Sequence, residues 1–95
     1  PDIGERSLKV EFKSSFAKDL KKVKDTDLKA QVKQVIELVE KAESLQEVKD
    51  IKKLKGDDRH YRIRIGDYRV GLILEGETVA FVRFLHRKDI YRYFP

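Results

Sequence analysis

HYRIRIGDYRVGLILEGETVAFVRFLH, residues 60–86, is the stretch whose reading decides the fold. Tyr61, Ile63 and Ile65 alternate with His60, Arg62 and Arg64, and after Gly66-Asp67 the pattern resumes, with Tyr68, Val70, Leu72 and Leu74 alternating with Arg69, Gly71 and Ile73. An apolar period of two marks strands that turn one face to a core. Gly66-Asp67 and Glu75-Gly76-Glu77 supply the turns between them. Residues 78–85 (TVAFVRFL) are apolar at nearly every position, which predicts a central strand with both faces covered. Three strands on such short connections form an antiparallel meander. Gly71, inside a strand, marks either a bulge or a close backbone approach to a ligand, the bulge being the better reading.

Upstream of this stretch the period lengthens. Leu8, Val10 and Phe12 alternate with Lys9 and Glu11, one more strand. Ser14 and Ser15 are suited to cap a helix in which Phe16, Leu20 and Val23 recur at i, i+4, i+7. Asp25-Thr26-Asp27 ends that pattern and can cap a second helix with the stripe Leu28, Val32, Val35, Ile36 and Val39. So short a turn predicts an antiparallel helical hairpin. Residues 44–58 join the halves, with Leu45, Val48, Ile51 and Leu54 pinning them to the core and Gly56-Asp57-Asp58 turning the chain. Residues 1–7 have no periodicity and read as a loose terminus. The order β-α-α-β-β-β describes an α+β fold, one domain across residues 1–95.

Composition narrows the function. The chain has no Cys, Met or Trp, with 22 Lys+Arg against 17 Asp+Glu and a formal net charge of +5. Without Cys there is no disulfide framework, thiolate metal site or thiol nucleophile. Two histidines, His60 and His86, lie at no metal-ligand spacing, so no metal is expected, and no glycine-rich loop or nucleophile elbow points to a cofactor or a serine hydrolase. No apolar run approaches the ~20 residues of a membrane span, and a cytoplasmic protein is the expectation. The charge is also unevenly typed. Thirteen of fourteen Lys precede residue 59, interspersed with acids as on a solvated helix, whereas seven of eight Arg lie at residue 59 or beyond it. Arginine concentrated on strands suits forked recognition of phosphate, and nucleic acid is the leading class of partner.

Two constellations can carry that chemistry. Arg62 and Arg64 project from one strand face ~7 Å apart, and if the neighbouring Arg69 points to the same face, three cations converge on one patch. Past the last strand, His86-Arg87-Lys88-Asp89-Ile90-Tyr91-Arg92-Tyr93-Phe94 gathers titratable and aromatic groups. RNA cleavage by the substrate's own 2′-hydroxyl needs a proton acceptor, cations on the crowded phosphorane and an acid for the leaving 5′-oxygen. Arg69 and Arg87 are candidate stabilisers, and His86, Tyr91 or Tyr93 candidate proton carriers, since nearby arginine charge lowers a phenol's pKa of ~10. A solvated outer face accounts equally well for the arginines, a strand-end position for His86, and base stacking for the tyrosines.

Leu54-Lys55-Gly56, Tyr61-Arg62-Ile63-Arg64, Tyr68-Arg69-Val70 and His86-Arg87 to Tyr91 follow one another as in the RelE/ParE superfamily of type II toxins, which the chain resembles from about Leu8 to Phe94. The resemblance implies a microbial-RNase-like toxin fold, a helical hairpin on a twisted antiparallel sheet. Its RelE-like branch, favoured here, implies an mRNA endonuclease acting on the codon in the ribosomal A site without a cofactor. Its partners would be message, rRNA and a cognate antitoxin protein. Carried over by residue, the branch's basic strand pair falls on Arg62 and Arg64, its transition-state arginine on Arg69, and its later arginine on Arg87, or on Lys88 in a register one residue on. Lys55 joins the RNA-binding set. The C-terminal tyrosine falls on Tyr93 by spacing and on Tyr91 by the His-Arg…Tyr pattern. Both strand positions are Arg where the prototype has Lys, and no strand Glu of the kind some relatives use is evident. The alternatives are a ParE-like gyrase inhibitor and a non-catalytic RNA-binding module; the arginines at 62, 64, 69 and 87 favour the nuclease.

Overall fold

The computed structural model describes residues 7–56 and 58–94. The expected loose terminus therefore lies outside the described residues except for Ser7, as does Asp57 of the predicted turn. The elements run β1 (Lys9–Phe12), α1 (Ser14–Lys21), α2 (Thr26–Lys41), a 3₁₀ turn (Leu45–Glu47), β2 (Ile51–Lys53), β3 (His60–Ile65), β4 (Tyr68–Glu75), β5 (Thr78–His86) and α3 (Arg87–Tyr93). The fold is α+β, with one five-stranded sheet in the order β1-β5-β4-β3-β2.

The meander β3-β4-β5 is antiparallel as its alternation predicts, and β5 lies between β4 and β1. The sheet as a whole is mixed, because β1 pairs with β5 in parallel, Val10 opposite Val79. Parallel neighbours require a crossover, and the whole intervening chain supplies it. Tyr61, Ile63, Ile65, Val70 and Leu72 all turn inward and are buried. They meet Phe16 of α1 and Val32 and Val39 of α2, with Leu45 and Val48 closing the base. Phe81 and Phe84 of β5 flank Phe16, ring centroids 5.4 and 6.4 Å away. The core thus sits between the helices and one face of the sheet.

α2 starts as its sequence predicts: the Asp25 carboxylate accepts from the N–H groups of Asp27 (2.9 Å) and Leu28 (3.1 Å). α1 does not. Its N-cap is Lys13 with no side-chain bond, Ser14 is already helical, and the Ser15 hydroxyl donates instead to the Val82 carbonyl of β5. α1 is fastened to β5 a second time by Asp19. This buried carboxylate accepts from Arg83 Nε (2.7 Å) and Nη2 (3.0 Å) and from the Phe84 N–H (3.0 Å).

β5 is bulged. Gly71 pairs with Arg83 and Leu72 with Phe81, so Val82 has no opposite residue. The close approach at Gly71 is made by a side chain of the same protein and not by a ligand. A Cβ there would stand 2.7 Å from Cγ of Phe94. Phe94, Ile90 and Ala80 are buried apart from the main core. α3 thereby covers the outer face of β4 and β5, and the both-faces burial expected of the central strand is achieved.

Candidate functional site

Register builds the site. On the outer face of the sheet Arg64 lies directly opposite Arg69, and Arg62 is opposite Gly71 on one side and Lys52 on the other. Paired residues share a face, so Arg62, Arg64, Arg69 and Lys52 project together. Strand β2 adds Lys52, which the sequence reading did not single out. It hangs on β3 through an Asp50 whose backbone is left-handed (φ 63°) and whose carbonyl accepts from the Arg64 N–H at 3.1 Å. Asp tolerates that conformation better than most side chains do.

These residues line a cleft of about 300 Å³ with Asp50, Ile51 and Tyr91. Tyr91 reaches it from α3, its ring centroid 4.5 Å from the Arg62 guanidinium carbon. Its phenol is held below the ordinary value of 10.0, first by hydrogen bonding to Arg62 and by that group's charge, with Arg69 and Lys52 adding to the effect. Arg69 is fixed from behind: its Nη1 donates to the carbonyls of Gly66 (3.0 Å) and Tyr68 (2.9 Å). A cation so anchored needs little reorganisation to meet an anion.

The remaining sequence candidates are placed elsewhere. Arg87 begins α3 at the β3–β4 turn, its N–H donating to the Asp67 carbonyl (2.7 Å) and its Nε 4.0 Å from the Asp67 carboxylate. It stands at the same turn that anchors Arg69. Lys88 follows it with an exposed side chain. His86 pairs with Tyr68, on the helix-facing side, and caps α3 by accepting the Lys88 N–H at Nδ1 (3.1 Å). Tyr93 points away from the arginine cleft, its ring 5.5 Å from the Arg83 guanidinium. Lys55 lines a second cleft adjoining the first.

A larger cleft, about 530 Å³, opens between α1 and α3 and is lined by Asp19, Lys22, Arg83, His86, Asp89 and Tyr93, among others. Its arginine is already committed to a buried carboxylate, so it offers an anion far less than the sheet-face cleft does. Among the described residues no cluster of three His, Cys, Asp or Glu could hold a metal ion, and no helix is long and apolar enough to cross a membrane.

Comparison with known proteins bears on the family and the fold. Residues 10–91 match the family described as ParE toxin of type II toxin-antitoxin system, parDE. Toxin RelE3 of Methanocaldococcus jannaschii is 47% identical over 93% of this chain and all of its own length. Putative toxin RelE1 of the same organism is 36% identical over 84% of this chain and 89% of its own. Among solved structures, the RelB-RelE antitoxin-toxin complex of Methanococcus jannaschii contains a chain 45% identical to this one. It superposes with a TM-score of 0.75, covering 90% of this chain and 99% of that one. The archaeal RelE-RelB complex of Pyrococcus horikoshii shares the fold at 21% identity (TM-score 0.71; 85% and 96% covered).

Proposed function

The chain belongs to the ParE/RelE toxin family of type II toxin–antitoxin systems, on its RelE-like side, and from that premise we propose that it is a ribosome-dependent mRNA endonuclease. The observation that carries the reading is the outer-face cleft, where three guanidiniums and a lysine surround a phenol of lowered pKa. Arg62 and Arg64 hold the phosphate backbone of the message in the ribosomal A site. The Tyr91 phenolate accepts the 2′-hydroxyl proton as that oxygen attacks phosphorus. Arg69, fixed to the β3–β4 turn, stabilises the charge that builds on the phosphorane oxygens, and Arg87 flanks the same turn. Loss of the 5′-oxygen leaves a 2′,3′-cyclic phosphate and, once protonated, a 5′-hydroxyl.

The set of cations on the sheet face favours the nuclease over a gyrase inhibitor of the same fold. In vitro translation with primer extension on the message, beside a gyrase supercoiling assay, tests the choice. Codon-positioned cuts with unaffected supercoiling are expected; intact message with trapped DNA breaks would transfer the protein to the gyrase-directed branch.

A cognate antitoxin is the second partner we infer. The related M. jannaschii and P. horikoshii toxins were solved with RelB-type partners. A chain of net charge +5 with an arginine cleft suits an acidic or amphipathic one. Co-expression with the adjacent small open reading frame should restore growth and yield a complex; failure of both would remove this partner.

A further inference from the structure

His86 is the last residue of β5 and the cap of α3, so strand and helix meet at its imidazole. Its Nδ1 accepts the Lys88 N–H at 3.1 Å. A ring nitrogen that accepts carries no proton, so the imidazole is neutral and its proton sits on Nε2. Edge-on contact with Tyr68, ring centroids 5.5 Å apart, holds the ring in place. The arginine cleft lies across the sheet, and His86 is not part of its lining.

What the cap holds is the first turn of α3. A helix of seven residues has little stability of its own, and the N–H groups of its first turn need partners. Two partners are supplied at this junction, the Asp67 carbonyl for Arg87 and His86 Nδ1 for Lys88. Tyr91 is the next link, because helical pairing aims its N–H at the Arg87 carbonyl one turn back. Its ring is exposed and rests on Arg62, whose guanidinium carbon lies 4.5 Å from the centroid. The direction of the phenol therefore depends on the first turn staying helical.

We infer that His86 is a positioning residue, whose neutral imidazole holds the first turn of α3 so that Tyr91 stands against Arg62. The inference rests on the nuclease reading for the use made of Tyr91, and adds a residue that sets it in place from the other face of the sheet. It also carries a direction in pH. Protonation removes the accepting nitrogen and puts a cation at a helix N-terminus, where the macrodipole opposes it. The surroundings do not reverse this. Lys22, just past α1, and Arg83 of β5 add like charge around the cleft. The Asp19 carboxylate is taken up by Arg83 and the Phe84 N–H, and Asp67 of the β3–β4 turn stands by Arg87. Asp89 is the counter-charge, but it sits in the turn that the cap maintains. Tyr68 and Tyr93 complete the surroundings with phenols. Imidazole is the one side chain among these whose ordinary titration falls between pH 5 and 8.

The test compares the full chain with His86→Asn, which caps a helix without titrating, and His86→Ala, which cannot cap. The first readout needs no RNA. NMR signals of labelled tyrosine rings are followed through the alkaline range, Tyr91 being assigned by its loss in Tyr91→Phe. The Tyr91 phenol should titrate below 10.0 in wild type and in the Asn variant, and move toward 10.0 in the Ala variant. The second readout is cleavage on ribosomes between pH 8 and pH 5. Toward the acid end, log kcat/KM should approach a slope of two in wild type, one each from Tyr91 and His86, and stay at one in the Asn variant. At the alkaline end of that range the Ala variant should turn over roughly 10-fold more slowly than wild type, with nearly unchanged affinity. An Ala variant that matches wild type in the phenol titration would overturn the positioning role. So would an Asn variant as slow as the Ala one, since the ring would then act by more than its cap. A steep acid fall that persists in the Asn variant would overturn the pH dependence and pass it to His60, whose ring lies 5.5 Å from that of Phe94 at the end of α3. Wild-type chain that cuts no message, while its Tyr91 phenol follows the cap as described, would remove the nuclease reading and leave the positioning of Tyr91 supported.

Discussion

At the residue scale, Tyr91 shows how far sequence alone could reach. Alternation placed Arg62 and Arg64 on one face, while Arg69 joined them only through the register that sets it opposite Arg64. It could not choose between Tyr91 and Tyr93. On a strand, residues two apart share a face; on α3, at ~100° per residue, they diverge by about 200° and face opposite ways. Tyr91 meets Arg62 and Tyr93 meets Arg83. If the Tyr91 phenolate is the base, the log of kcat/KM should rise with pH to a limb below 10, since the depressed pKa makes the base available earlier. Arg62→Ala should move that limb toward higher pH in addition to weakening binding; an unmoved limb would remove Tyr91 from the role. Gly71→Ala tests the other decisive position. With Cβ 2.7 Å from Phe94, overpacking should cost ~1–3 kcal/mol in denaturant unfolding. Wild-type stability would mean that the ring yields freely.

At the scale of elements, what escaped the sequence were pieces too short to show a period. β2 has three residues, two of them Lys, a composition that suits an edge strand but carries no alternation. α3 has seven residues and makes less than two full turns. Its identity rests on tertiary burial of Ile90 and Phe94 and on the His86 cap, and none of these has a local signature. The fastening of α1 was equally hidden. Asp19 reads as one more acid among lysines, yet it binds Arg83 across 64 positions of chain. Removing one partner of a buried pair strands the other. With Arg83 partly exposed, Asp19→Ala should cost about 3 kcal/mol, the low end for such losses, measured as a lowered denaturant midpoint. A change under half that would mean that solvent replaces the carboxylate.

At the scale of the whole molecule, the helices and meander were legible because their apolar stripes are long. The parallel placement of β1 was not, since nothing in a four-residue strand states which neighbour it will choose. The division of charge along the chain was legible too: all but one lysine before residue 59, and all but one arginine from that residue on, four of them on the sheet. If that sheet holds RNA, Arg64→Ala should flatten the dependence of log K on log salt by about 0.7 for one lost single-strand contact. Unchanged slope would place Arg64 off the backbone. The central claim, that the arginine cleft performs the cut and does not merely hold RNA, is tested most directly by single-turnover cleavage of message on ribosomes saturated with Arg69→Ala toxin. Arg69 is held by two carbonyls, and the proposed role sets it against charge that appears only in the transition state. The rate should fall by ~10²–10³ with nearly unchanged affinity. Cleavage at the wild-type rate by the bound variant would contradict it.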